Sequence, residues 1–342
     1  MTKARVAIIG ASGYTGAELV RLLVTHPGME IAALAADRNA GKTMGEIYPH
    51  LAHLNLPLVV TTEEIDWSGI DLVFCGLPHA TAQEVIAHLP RNLKIVDLSA
   101  DFRLRDAAEY AKWYGHEHVA PDLQEEAVYG LPEFYREELK TCRLAAGTGC
   151  YVVCGLLPLV PLLQGGVIDP EEIVIDAKTG ITGAGRGALQ RKLYSEVTEG
   201  MDAYSIARHR HTAEFDQELS KAAGKPVIVS FTPHLAPMNR GILSTIYVKG
   251  DPEEIQRTLV ARYDSEPFVH VLEMGGAPET RHVRGSNLCR IGVTADRRPG
   301  RAIIVSVLDN LVKGASGQGV QCANLMLGQP ETAGLELAPM FP

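Results

Sequence analysis

Val6-Ala7-Ile8-Ile9-Gly10-Ala11-Ser12-Gly13-Tyr14-Thr15-Gly16 carries the signal that decides the fold. A short apolar run, rich in β-branched residues, reads as a buried strand. Glycines at 10, 13 and 16 follow, and the helical pattern Ala17–Thr25 comes directly after them. Glycine suits such a turn because the chain must bend tightly and the backbone must approach a pyrophosphate, whose charge then rests on the helix N-terminus. A GxxGxxG run is weak alone, but between a strand and a helix it reads as a dinucleotide-binding turn. Gly10, Ser12, Gly13, Tyr14, Thr15 and Gly16 are its candidate contacts.

Working outward, Glu30–Ala35, Leu72–Cys75 and Lys94–Leu98 read as further buried strands, with Thr81–Leu89 as a second intervening helix. This alternation predicts a doubly wound parallel sheet of Rossmann type. The second strand should end near Ala36-Asp37-Arg38, followed by Asn39-Ala40-Gly41-Lys42. An acid there commonly binds the ribose hydroxyls of NAD, whereas a basic residue accepts the 2′-phosphate of NADP. Both kinds are present. Arg38 and Lys42 together favour NADP, against the plainer reading of a solvated charged loop.

From about Cys150 the pattern changes. An apolar helical run (Val152–Leu163) precedes Ile173–Ala177, Val227–Phe231, Ile242–Val248, Cys289–Thr294 and Ala302–Leu308, longer strands that suit a mostly antiparallel sheet. Asn310–Leu327 reads as a last helix, with Gly314 and Gly317 permitting close packing. The polar and aromatic stretch Asp101–Glu126 reads as an ordered excursion, since Tyr110, Trp113 and Tyr114 call for burial. The expected division is residues 1–149 as a nucleotide-binding domain completed by 310–342, and 150–309 as a catalytic and oligomerisation domain of α+β type.

Composition narrows the class. The 342 residues are 46% hydrophobic and 21% charged, ordinary values for a globular protein with a full core. A formal charge of -9 argues against a general nucleic-acid binder. No run approaches a membrane span, and the six cysteines are scattered without CxxC pairs, so neither a metal site nor a disulfide framework is expected. A reduced, cytoplasmic setting follows as the expectation.

Cys150 stands among small residues in Ala145-Ala146-Gly147-Thr148-Gly149-Cys150-Tyr151, at the start of a helical run. There the N–H groups and dipole of a helix favour thiolate, the nucleophilic form. The bland alternative is a buried structural thiol. His209-Arg210-His211-Thr212-Ala213-Glu214 places two histidines and an acid together, a pattern suited to proton transfer beside a nucleophile. Thr179–Gly187, with Arg186, and the Thr232–His234 and Asn239–Gly241 segments, with Arg240, add hydroxyls and cations.

Several segments together resemble the aspartate-semialdehyde-dehydrogenase-like family, in its arginine-biosynthesis branch. They are Gly10–Gly16, Leu77-Pro78-His79-Ala80, Asp97–Arg103, Tyr129-Gly130-Leu131-Pro132-Glu133, Gly149-Cys150-Tyr151, His209-Arg210-His211-Thr212 and Asp309–Gly314. The resemblance covers almost the whole chain. It implies a fold like glyceraldehyde-3-phosphate dehydrogenase, and NADPH-dependent reduction of N-acetyl-γ-glutamyl phosphate to the semialdehyde through a cysteine thioester. An N-modified α-aminoadipyl phosphate, or an idle nucleotide-binding homologue, are the alternatives. It further implies Cys150 as nucleophile and His211 as acid/base with His209 close by. Arg103, Arg186, Arg210 and Arg240 become candidates for substrate anions, and Pro78, Ser99 and Asn310 for further cofactor contacts. A homo-oligomer, dimer or tetramer, is also implied. One departure stands out. The family's usual Asn-Pro before Gly-Cys-Tyr is Gly147-Thr148 here, and its Pro-Thr after it is Val152-Val153.

Overall fold

A computed structural model describes residues 2–341, which cluster into two compact units. The first runs to Thr148 and takes back Ala315–Glu336; the second comprises Gly149–Gly314 and the tail from Leu337.

The first unit contains β1 (Ala4–Ile9), α1 (Tyr14–Leu23), β2 (Met29–Ala35), α2 (Met44–Ile47), β3 (Val59–Val60), β4 (Leu72–Cys75), α3 (Ala82–His88) and β5 (Lys94–Asp97). It continues with α4 (Ala107–Tyr114), α5 (Pro121–Glu126), β6 (Ala127–Gly130), α6 (Pro132–Thr141) and β7 (Leu144–Gly147). All seven strands pair parallel, in the order β3-β2-β1-β4-β5-β7-β6. Sequence order reverses between β1 and β4, the switch point where ligands of such sheets bind. The β6 and β7 strands have no counterpart in the sequence reading. Leu144-Ala145-Ala146-Gly147 is too short and too poor in β-branched residues to signal a strand. The excursion after Asp101 is ordered: the Asp106 carboxylate caps α4 through the N–H groups of Ala108 and Glu109, and Gly115 ends it at φ 79°.

The second unit contains α7 (Cys150–Gln164), β8 (Val174–Gly180), α8 (Tyr194–Val197), β9 (Asp202–Ala203), α9 (His211–Ala223), β10 (Ser230–Ala236), β11 (Ile242–Lys249), α10 (Pro252–Tyr263), β12 (Val269–Val271), β13 (Cys289–Ala295) and β14 (Arg301–Leu308). Its mixed sheet has the order β12-β13-β14-β11-β8-β10-β9, parallel only at β8/β10 and β12/β13. The expected strand Val227–Phe231 lies three residues early. The Val227 N–H goes to Ser220 Oγ (2.8 Å) and that of Val229 to Asp216 Oδ1 (3.2 Å), so α9 side chains hold this approach and the ladder starts at Ser230.

Helix α7 is the spine of this unit. It is buried from Tyr151 to Leu163 despite prolines at 158 and 161. Pro161 has no N–H for the Leu157 carbonyl four residues back, and the Tyr263 hydroxyl of α10 donates there instead. The final helix begins irregularly. Asp309 Oδ1 accepts from the N–H groups of Leu311 and Val312, and Gly314 N–H reaches back to the Asp309 carbonyl, giving a π turn over Val312–Ser316. Regular helix α11 spans only Gly317–Met326, back in the first unit.

His26 shows how the first unit secures its returning segment. The ring is fully buried; Nδ1 accepts from the N–H groups of Gly28 (3.1 Å) and Met29 (2.9 Å). Its Nε2 faces Asn324 Oδ1 (3.1 Å) and the Ala333 carbonyl (2.9 Å), so the neutral Nε2–H tautomer satisfies the network. Burial lowers its pKa, and the unfolded chain therefore binds the proton more readily. This stabilising contribution is complete above the ordinary histidine pKa, about 6.5, and falls away below it. Thermal unfolding between pH 7 and 5 should show a falling Tm. His26→Asn should lower Tm by several degrees at pH 7 while flattening that decline; an unchanged slope would refute the assignment.

Candidate active site

In the first unit, the three glycines of the turn have different duties. Gly10 sits at φ +82°, and a Cβ there would stand 2.3 Å from the Gly76 carbonyl oxygen. A Cβ on Gly16 would fall 2.5 Å from the Gly10 oxygen, so this glycine lets α1 start against the turn. Gly13 is roomier: its nearest neighbour would be the Gly10 oxygen at 3.4 Å. It is the N-cap of α1, and no side chain caps the helix there. Tyr48 braces the turn by donating to the Ser12 carbonyl (2.9 Å), and Ser316 donates to that of Thr15 (2.9 Å). These residues make a backbone cradle at a helix start, which fits a dinucleotide pyrophosphate.

At the end of β2 the two competing side chains separate. Asp37 Oδ1 accepts from the N–H and hydroxyl of Thr62 (3.1 and 3.2 Å) and is thereby occupied. Arg38 is exposed and makes no hydrogen bond or ion pair with any described residue, while Lys42 reaches Asn39 Oδ1 at 3.2 Å. Pro78 is exposed. Ser99 is not: its hydroxyl turns inward to Asp97 Oδ2 at 2.7 Å, and burial pushes the Asp97 carboxyl up to about 7. Arg103 is also buried in this unit, its Nε donating to the Gly147 carbonyl at 2.7 Å. Gly147 itself lies against the β5 end, where a Cβ would stand 2.8 Å from the Asp97 oxygen. Thr148 Oγ1 accepts from Gln318 Nε2 (2.7 Å). In this chain, then, the two residues replacing the usual Asn-Pro are packing and anchoring residues.

In the second unit, Gly149 is the N-cap of α7 and Cys150, partly exposed, is its first residue. First-turn N–H groups have no carbonyl four residues back and remain available to an anion. Helix α9 crosses here at very short range. A Cβ on Gly149 would stand 2.5 Å from His211 Nε2 and 2.8 Å from Glu214 Oε1; one on Gly155 would stand 2.6 Å from the Phe215 ring. The Gly149 N–H donates to Glu214 Oε2 (3.1 Å). The carboxylate of Glu214, fully buried, lies 3.8 Å from His211 Nε2. The sequence groups Glu214 with the two histidines but assigns it no role; its place one helical turn after His211 is the signal that pairs them. Gly314 completes the wall, since a Cβ there would stand 2.8 Å from that of Cys150.

His209 and His211 are stacked edge to face with ring centroids 4.6 Å apart. The His209 ring is further boxed by Tyr151, Tyr204 and Phe231, at 5.8, 5.5 and 5.5 Å. Its Nδ1 accepts the His211 N–H at 3.2 Å. Burial first, then the charges of His211 and Arg210, push the His209 pKa down to about 3. Tyr151 and Tyr204 share a hydroxyl contact of 3.3 Å beside these rings.

The remaining candidates lie on loops and element ends of the second unit. Arg186 and Arg210 are exposed, whereas Arg240 pairs with buried Asp309 at 3.5 Å. Asn310 is 2% exposed and uses both ends of its amide. It accepts from the Gly241 N–H (2.8 Å) and donates to the Thr182 hydroxyl (3.0 Å), which ties two loops together.

The Gly149 contact yields a double-mutant test. Gly149→Ala should displace His211 and lower kcat by about 10²-fold or more. The strain should cost about 1–3 kcal/mol of stability, and His211→Ala in the same chain should recover most of that without recovering activity. Additive stability losses would show that the two residues do not meet as described.

Residues 5–142 match the family described as semialdehyde dehydrogenase, NAD binding domain, and residues 150–310 match semialdehyde dehydrogenase, dimerisation domain. An N-acetyl-γ-glutamyl-phosphate reductase from Rhodobacter capsulatus is 62% identical over 99% of both chains. One from Ruegeria pomeroyi is 59% identical over the same shares. Aspartate semialdehyde dehydrogenase II from Vibrio cholerae superposes with a TM-score of 0.72 at 17% identity, covering 96% of this chain and 99% of that one, and so shares the fold. The strand–glycine turn–helix of the first unit and the cysteine-bearing helix of the second are thus those of a known lineage: the chain belongs to the N-acetyl-γ-glutamyl-phosphate reductase family of semialdehyde dehydrogenases.

Proposed function

We propose that the chain reduces N-acetyl-γ-glutamyl phosphate to N-acetylglutamate 5-semialdehyde and phosphate, with NADPH as reductant, as a step of arginine biosynthesis. The observation that carries this reading is the glycine-enforced contact of His211 and Glu214 with the cysteine-bearing start of α7. The Cys150 thiolate attacks the acyl carbon, phosphate departs, and a thioester to Sγ remains. First-turn N–H groups of α7 stabilise the oxyanion of each tetrahedral species. NADPH, when bound, supplies the hydride that reduces the thioester. The thiohemiacetal then collapses to aldehyde and Cys150 thiolate, while His211 accepts and returns the protons.

The environment separates the roles of the two histidines. His209 carries a pKa near 3 and already accepts a hydrogen bond at Nδ1, so it stays neutral and orients His211. His211 is the acid/base: the buried Glu214 carboxylate, 3.8 Å away, balances the positive charge it carries between proton transfers. Arg186, Arg210 and Arg240 supply the cations for substrate anions, with Arg240 fixed by Asp309. In the first unit, the Gly10–Gly16 cradle takes the pyrophosphate. Arg38 takes the 2′-phosphate, since Asp37 is held by Thr62.

The second unit carries exposed apolar side chains at Leu189, Leu193, Tyr194, Met201 and Ile206, all more than half exposed. Exposed apolar side chains gathered in one stretch of the chain suit burial against another copy, and we propose the homo-oligomer contact there. Among the described residues no helix is long and apolar enough to cross a membrane. We assign the enzyme to the cytoplasm on its cysteine thiols, which suit a reducing setting.

One set of assays tests the reading. Wild-type enzyme should consume NADPH with the glutamyl acyl phosphate in preference to the aminoadipyl one. Cys150→Ser should lose about 10³-fold or more of turnover while binding NADPH normally. Retained turnover in that variant would sink the mechanism. Arg38→Ala should weaken NADPH by about tenfold and leave NADH unchanged; equal loss for both would remove Arg38 from 2′-phosphate recognition.

A further inference from the structure

A second group of buried polar residues lies apart from the thiol site, at the carboxyl end of β5 in the first unit. Asp101 is fully buried. Its Oδ1 accepts from the Ala80 N–H (2.8 Å) and the Tyr110 hydroxyl (2.7 Å), and its Oδ2 from the Ala82 N–H (3.1 Å). The Asp101 N–H donates to Ser99 Oγ at 3.1 Å, and that hydroxyl donates to Asp97. From the excursion, His118 Nε2 donates to the Asp101 carbonyl at 2.9 Å, and the Tyr110 ring stacks on Tyr114 at 4.7 Å. The turn after β4, the start of α3 and helix α4 thus converge on one carboxylate.

What that carboxylate grips is strained backbone. Ala80 has φ +73°, the left-handed region that a side chain disfavours. It is the third residue of the turn Pro78–Thr81, closed by the Thr81 N–H (3.3 Å) and hydroxyl (2.6 Å) to the Pro78 carbonyl. Glycine is the usual residue there when φ is positive. A strained conformer of this kind persists only where its surroundings impose it, and such residues gather at ligand clamps. The turn follows β4, beside the switch point, and its outer residues Pro78, His79 and Ala80 are exposed. Gly76, at its root, is the residue against which Gly10 closes.

We infer that Asp101 is a positioning residue for dinucleotide binding: oriented by Tyr110, its carboxylate holds the Pro78–Thr81 turn in the left-handed form that faces the ligand. The inference rests on the reading of the first unit as the NADPH site and deepens it. Asp101 itself is buried and touches no ligand. Without the charge at Asp101 the turn samples other conformers, and the observed affinity drops by the fraction that remains competent.

The test uses the full-length chain, with NADPH binding followed by its fluorescence and Cys150 reactivity by alkylation rate. Asp101→Asn keeps the size but sets an amide N–H₂ against one of the two backbone N–H donors. It should weaken NADPH about tenfold, raise the KM for NADPH alike, and leave kcat at saturating NADPH and the alkylation rate within about twofold. Adding Ala80→Gly should restore most of the affinity, because glycine adopts positive φ without enforcement. Wild-type affinity in Asp101→Asn, or a loss that Ala80→Gly leaves in place, overturns the inference. Should Asp101→Asn fail to fold, Tyr110→Phe carries the test: a loss of about threefold supports the inference and no loss overturns it. A wild-type chain that binds neither NADPH nor NADH would instead overturn the underlying site reading.

Discussion

The close crossing of α9 over the start of α7 is the constraint on which the second unit depends. Gly149 and Gly155 are the two places where α7 has no side chain to hold α9 away, and His211, Glu214 and Phe215 occupy the space left. Phe215 supplies apolar burial, so the hydrophobic packing of the unit places the histidine. The Glu214 bond to the Gly149 N–H then fixes the start of α9 to the residue preceding Cys150. A catalytic geometry set by rigid helix packing needs little further ordering when substrate arrives.

Burial turns several polar groups towards neighbouring backbone, where they hold it in place. His209 is boxed by aromatic rings and kept neutral, which makes it a fixed acceptor for the His211 backbone. Ser99 and Asp101, in the polar segment after β5, are turned into the protein, where they organise backbone. The same holds for Asn310, whose amide ties the loop before β11 to the one after β8. Polar residues near a site often serve it at one remove, because buried donors and acceptors must be satisfied and the partners they choose fix loops.

The nucleotide unit was largely legible in advance. Its strands are short apolar runs, its glycines are spaced for one kind of turn, and local chemistry suffices to predict them. The β6 and β7 strands were not legible: each has only four residues, and Leu144–Gly147 is mostly Ala and Gly, which carry little strand signal. In the second unit, the early placement of the strand at Val227 followed the β-branched run, whereas side chains of α9 claim that backbone first.

The amino-acid sequence by itself determined the Gly10–Gly16 turn, the cysteine at a helix start and the paired histidines, because each is a local pattern with a local physical cause. Tertiary structure decided what those residues do. It boxed His209 among aromatic rings, set Glu214 3.8 Å from His211, and gave Asp37 a hydrogen bond from Thr62. It also set Gly147-Thr148 to packing and anchoring roles. Those outcomes depend on neighbours brought together by folding, and no spacing along the chain encodes which neighbour arrives.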